Sequence, residues 1–189
     1  LTIAGEVRAA TDGLNVATIL SNDGHRNSQI VLTSTGVVAA SAPKGTATAI
    51  YQSGFTGLSL SNGGTISATG NHAYGVQSAA LDREFLNSGR ITVQAEGRGV
   101  GMWLRNGVRV ENSGIIDVYS TTNAIGMLAH GEYGGVLNSA SGVIRVRDSD
   151  PGDMGSSPLD ARASIGVWCD INLGGLQNFG LIEADVALR

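Results

Sequence analysis

The chain has 189 residues, with 12 basic and 16 acidic side chains and a net charge of −4, a size that suits one domain or one section of a longer solenoid. This mild acidity, with no basic patch or stripe, argues against a nucleic-acid footprint and against docking on an anionic membrane. Glycine is high at 28 and proline low at 3, and no apolar run approaches the roughly 18 residues of a membrane-crossing helix, so short strands joined by tight turns are expected.

The chain opens mid-pattern at Leu1-Thr2-Ile3, with neither an initiator Met nor a signal peptide, and reads as a mature or trimmed piece. Loose copies of one phrase centre on Gly5 and Gly36. The phrase becomes explicit as Asn62-Gly63-Gly64-Thr65-Ile66, then as Asn87-Ser88-Gly89-Arg90-Ile91 and Asn112-Ser113-Gly114-Ile115-Ile116. A stretched copy runs from Asn138 through Gly142 to Ile144, and a last one is Asn178-Phe179-Gly180-Leu181-Ile182. Its glycines at 64, 89 and 114 step by 25 residues, and the following steps are 28 and 38.

A second phrase follows about ten residues later in each unit. It reads Ala47-Thr48-Ala49-Ile50, Ala73-Tyr74-Gly75-Val76, Gly99-Val100-Gly101-Met102, Ala124-Ile125-Gly126-Met127 and Ser164-Ile165-Gly166-Val167. Two independent phrases that keep one period define a repeat, and a unit this short must stack on its neighbours to bury an apolar face. Each unit carries three strand-length pieces that alternate in polarity and do not follow a helical period. The expected fold is all-β: a right-handed parallel β-helix of six to seven three-strand coils, each about 25 residues, forming a single section over 1–189. Residues 147–163, with Pro151, Gly152 and no apolar alternation, read as a loop inserted into one coil.

Alternation along each strand sorts the residues by face. Val7, Val38, Ile66, Ile91, Ile116, Ile144 and Ile182 form one inward column; Ala9, Ala40, Ala68, Val93, Val118, Val146 and Ala184 form a second. Leu60, Phe85, Val110, Val136 and Leu176 form a third, and none of the three columns holds a charge. Asn62, Asn87, Asn112, Asn138 and Asn178 are expected to hydrogen-bond from coil to coil at a turn. On the outside, Asp117, Arg145 and Glu183 should occupy neighbouring rungs as a charge ladder. In the second phrase Ile50, Val76, Met102, Met127 and Val167 are read as inward. Tyr51, Gln77, Trp103, Leu128 and Trp168 then face out, beside a small outward column of Ala49, Gly75, Gly101, Gly126 and Gly166. Tyr51, Trp103, Leu128 and Trp168 are thus the candidate binding residues, an apolar strip open to three explanations: a neighbouring chain, a loop of the same chain, or stacked sugar rings.

Chemistry-bearing motifs are scarce. No P-loop, HExxH, GxSxG or CxxC occurs, and the glycine-rich Gly97-Arg98-Gly99-Val100-Gly101 lies on the repeat with no helix after it. His25, His72 and His130 lack metal-ligand spacing, and His130 with Glu132 and Tyr133 reads as an exposed turn. Asp148, Asp150, Asp153 and Asp160 crowd the inserted loop without the spacing of a calcium-binding loop, and Asp117 and Glu183 make a poor catalytic pair with Arg145 between them. The sole cysteine, Cys169, forms no intrachain disulfide. No catalytic residue, metal ligand or cofactor is therefore assigned, and the reading leans away from an enzyme.

The repeated Asn-Ser-Gly-x-Ile phrase, with Ala-x-Gly-Val/Met about ten residues on, resembles bacterial autotransporter passenger domains and related haemagglutinin-like surface proteins over nearly the whole chain. The resemblance implies a secreted, non-catalytic adhesive stalk at the cell surface. Bacteriophage tailspikes and fibres share the architecture, and imply instead a trimeric virion section that binds or cleaves cell-surface polysaccharide. Expected partners are further copies of the chain or flanking protein segments that cover the end strands, with a cell-surface glycan as a further candidate; neither nucleic acid nor membrane insertion is expected.

Overall fold

The computed structural model describes residues 1–21, 28–53, 58–78, 84–105, 109–130, 135–149, 164–170 and 175–188. These form strands and turns without a helix. The first coil comprises β1 (Thr2–Ile3), β2 (Glu6–Ala10) and β3 (Asn15–Ser21). In the next two coils the two phrases fuse into single long strands: β4 (Ser28–Leu32) leads to β5 (Val37–Gln52), and β6 (Leu58–Asn62) to β7 (Thr65–Ser78). From there each coil has three strands. They are β8 (Glu84–Asn87), β9 (Arg90–Ala95) and β10 (Arg98–Arg105), then β11 (Arg109–Asn112), β12 (Ile115–Ser120) and β13 (Asn123–His130). The last two coils are β14 (Val136–Asn138), β15 (Val143–Asp148) and β16 (Ser164–Asp170), then β17 (Leu176–Asn178), β18 (Leu181–Glu183) and β19 (Val186–Leu188).

Like strands of successive coils pair in parallel. One sheet has the order β1-β4-β6-β8-β11-β14-β17, and a larger, 12-stranded sheet holds both phrase strands of every coil, joined through β5 and β7. The result is a β-solenoid of about five turns with strand neighbours on both sides, flanked by two outer rungs with a neighbour on one side only, against the six to seven coils expected.

The register confirms the repeat at single-residue resolution. Val38 lies beside Ile66, Ile66 beside Ile91, Ile91 beside Ile116, Ile116 beside Ile144 and Ile144 beside Ile182. Leu60, Phe85, Val110, Val136 and Leu176 align in the same way. Interior members of these columns are sealed from water, while Val7 at the outer rung is 38% exposed because it has a neighbour on one side only. The apolar columns meet along the axis in one continuous core. Aligning equal residues at roughly 4.8 Å intervals lets each side chain pack on its own kind, so shape complementarity follows from repetition.

The asparagines make the expected ladder. Each Nδ2 donates to the Oδ1 of the next coil, Asn62 to Asn87 and Asn87 to Asn112 at 2.7 Å, then Asn112 to Asn138 and Asn138 to Asn178 at 2.8 Å. From Asn62 to Asn138 the members are buried, so the ladder satisfies amides that would otherwise be desolvated without partners. The turn glycines beside it serve closeness of approach rather than unusual backbone angles. Gly175 is the one described glycine with a positive φ, whereas a Cβ on Gly114 would run into the backbone of Gly89 in the coil before.

Candidate functional site

The second-phrase strands depart from simple alternation. Register pairs run Gly99 with Ala124 and Val100 with Ile125, skip the next glycines, and resume at Met102 with Met127. A Cβ on Gly101 would lie 2.6 Å from Ile116 Cγ2, and one on Gly75 would lie 2.6 Å from Ile91 Cγ2, so both positions face the axial core. Ala49 is fully buried in that same core. The small column of Ala49, Gly75, Gly101 and Gly126 therefore points inward, not outward as alternation suggested. The physical reason is a local step in each strand: two consecutive residues, such as Gly101 and Met102, both turn inward. The first must be small because an isoleucine methyl of the neighbouring face already fills the space.

The step changes what stands on the outer face. Thr48, Tyr74, Val100, Ile125, Ile165 and Val186 form the outward column in its place, aligned rung by rung. Beside it runs the candidate strip: Tyr51 pairs with Gln77, Gln77 with Trp103, Trp103 with Leu128 and Leu128 with Trp168. The structure thus places Tyr51, Trp103, Leu128 and Trp168 in a single column.

These side chains differ in exposure. Tyr74, Val100, Trp103, Ile125, Leu128, Ile165 and Trp168 form a second buried apolar cluster outside the axial core, with Trp103 at 9% and Trp168 at 8% exposure. Val100, Ile125 and Ile165 expose no surface, so this burial is achieved within one chain. The Tyr74 and Trp103 rings are tilted by 32° with centroids 5.6 Å apart, and the Arg105 guanidinium carbon sits 4.5 Å from the Trp103 ring centre. Toward the N-terminal rungs the same face opens: Tyr51 and Gln77 are half-buried and Leu20 is 57% exposed. A cleft of ≈ 360 Å³ lies there, lined by side chains of β3, β5 and β7 that include Asn15, Thr46, Thr48, Tyr51 and Gln77. Composition pointed to the tryptophans; the open cleft two rungs away carries no motif that a scan of the sequence could find.

No protein-family model, curated protein or solved structure matches this chain.

The remaining polar candidates are dispersed. Arg145 stands between Asp117 and Glu183 in register, and its Nε lies 2.6 Å from Glu183. Asp117 is instead held at 2.6 Å by Arg147, with Arg90 at 3.9 Å, so the ladder is replaced on one side by a diagonal pair. Longer side chains two residues along a neighbouring strand reach as well as those directly opposite. His72 Nδ1 accepts the Arg98 backbone N–H at 3.1 Å, and its pKa is lowered by burial and then by the Arg98 charge. His130 ends β13 and is exposed, and Asp148 ends β15. His25, Glu132, Tyr133, Asp150, Asp153 and Asp160 lie outside the described residues, as does most of the 147–163 loop. Among the described residues no group of three or more His, Cys, Asp or Glu is arranged to hold a metal, and no helix is long and apolar enough to cross a membrane.

Burial raises the Cys169 thiol to about 11. Cys169 packs against the axial core beside Ala129.

Proposed function

We propose that this chain is a non-catalytic structural and adhesive module of a cell surface, a stiff β-solenoid that presents loops along its length. The observation that carries this reading is the stack: apolar columns continue from rung to rung and an asparagine ladder joins Asn62 to Asn178, giving a rod. Such a rod resists bending because every coil contacts its neighbours along three faces at once. The exposed outer rungs, with Leu1 at 68% and Phe179 at 68% exposure, are covered in the intact assembly by flanking segments or partner chains.

Two measurements test the proposal. Beads coated with the purified chain should attach to bacterial or host cells more than beads coated with an unrelated protein of equal charge, and equal attachment would sink the adhesive part. Sedimentation should show a species that is not a stable trimer. A trimer would move the reading to a section of a virion spike that binds or cleaves polysaccharide.

A further inference from the structure

We infer that the cleft formed by β3, β5 and β7 binds an uncharged pyranose unit, and that it is the adhesive contact of the module proposed above, on which reading it rests. The cleft owes its existence to the strand step described for the second phrase. Ala49 and Ile50 both turn inward, which leaves Thr48 and Tyr51 on one side of β5 and brings the phenol over the same floor as the hydroxyl. Register then sets Gln77 beside Tyr51 and Asn15 beside Thr46. At ≈ 360 Å³ the space falls within the roughly 300–1,000 Å³ of small-ligand sites.

The lining chemistry narrows the ligand. Tyr51 offers an aromatic face suited to the apolar C–H side of a sugar ring, while two amides and two threonine hydroxyls offer donors and acceptors for ring hydroxyls. The Thr46 N–H donates to Leu14 O at 2.6 Å and is shared with Asn15 Oδ1 at 3.3 Å, which leaves the Asn15 NH₂ available to an acceptor. Among the described residues no charged side chain lines the cleft, which disfavours anionic sugars and phosphates. An extended peptide is disfavoured at Tyr51 and Gln77, because β5 and β7 are flanked by strands on both sides and the free edge lies on the far side of β3. Recognition must come from side chains, and these are the side chains that recognise neutral hydroxylated rings.

The test is titration of the full chain with methyl α-glucoside, methyl β-galactoside, methyl α-mannoside and N-acetylglucosamine, read by two-dimensional NMR. At least one sugar should shift the signals of Asn15, Tyr51 and Gln77. Tyr51→Ala should weaken that sugar about tenfold and Tyr51→Phe much less, since stacking survives loss of the hydroxyl. Gln77→Ala should weaken it about threefold or more, and serves as the second arm if Tyr51→Ala proves poorly folded. The inference is overturned if no sugar shifts those signals up to about 50 mM, or if bound sugar is indifferent to Tyr51→Ala and Gln77→Ala. Bead attachment separates the two proposals: adhesion that persists undiminished in Tyr51→Ala retains the module and removes the site, whereas sugar binding without adhesion does the reverse.

Discussion

Replacing Asn112 by Ala removes the middle of the asparagine ladder, and the structure sets the size of the effect. Asn112 is fully buried, accepts from Asn87 at 2.7 Å and donates to Asn138 at 2.8 Å. The substitution leaves Asn87 Nδ2 with a marginal 3.5 Å contact to the Ile115 carbonyl, and leaves Asn138 Oδ1 without its donor. Both partners stay buried, so each orphaned group costs about 1–3 kcal/mol and the pair about 2–6 kcal/mol. That is a large share of the roughly 5–15 kcal/mol by which a domain is stable. The control is Asn178→Ala, which removes a single ladder bond from an exposed residue; Asn138 Nδ2 keeps the carbonyls of Gly142 at 3.3 Å and Leu181 at 3.4 Å, so the cost should be about 1 kcal/mol or less. Urea unfolding followed by far-UV circular dichroism and by the fluorescence of Trp103 and Trp168 gives both values, provided the two signals coincide. A cost for Asn112→Ala below about 1 kcal/mol, or no larger than for Asn178→Ala, would refute the claim that the ladder matters through buried satisfaction.

Gly101→Ala should destabilise by about 1–3 kcal/mol, because its Cβ meets Gly126 O at 2.5 Å and Ile116 Cγ2 at 2.6 Å, whereas Gly5→Ala meets nothing within 4 Å and should be near neutral in the same urea assay. Cys169, moved from 9.0 to about 11, holds about 100-fold less thiolate near neutral pH than an unperturbed thiol, and iodoacetamide should label it slower by about that factor or more. Labelling at the rate of a free cysteine would contradict its burial. His72 has a folded pKa below its ordinary 6.5, so the unfolded chain binds the proton more readily. Its contribution is present above about 6.5 and lost as pH falls through the folded value, so the urea midpoint should drop on acidification and drop less in His72→Gln.

Repetition makes most of the fold legible in the sequence. A residue such as Ile91 is fixed by its phrase, and once Ile66, Ile91 and Ile116 share a phrase, parallel stacking places them in one column; the register does so. The asparagine ladder was legible for the same reason, since Asn87 and Asn112 recur at the coil period and an amide can serve its own kind as donor and acceptor. Side-chain alternation is a local property of covalent geometry, so it holds wherever a strand runs straight.

It failed at Gly75 and Gly101, where the strand steps and consecutive residues both face the axis. The demand for that step comes from Ile91 and Ile116 on the neighbouring face, which no window of sequence around the glycines contains. Packing between faces likewise decided that Trp103 and Trp168 are covered while Tyr51 and Gln77 border an open cleft, and that Asp117 turns to Arg147 instead of Arg145. The period and the identity of each column are properties of the chain alone. Which outward residues meet water depends on neighbours brought together only when the coils close.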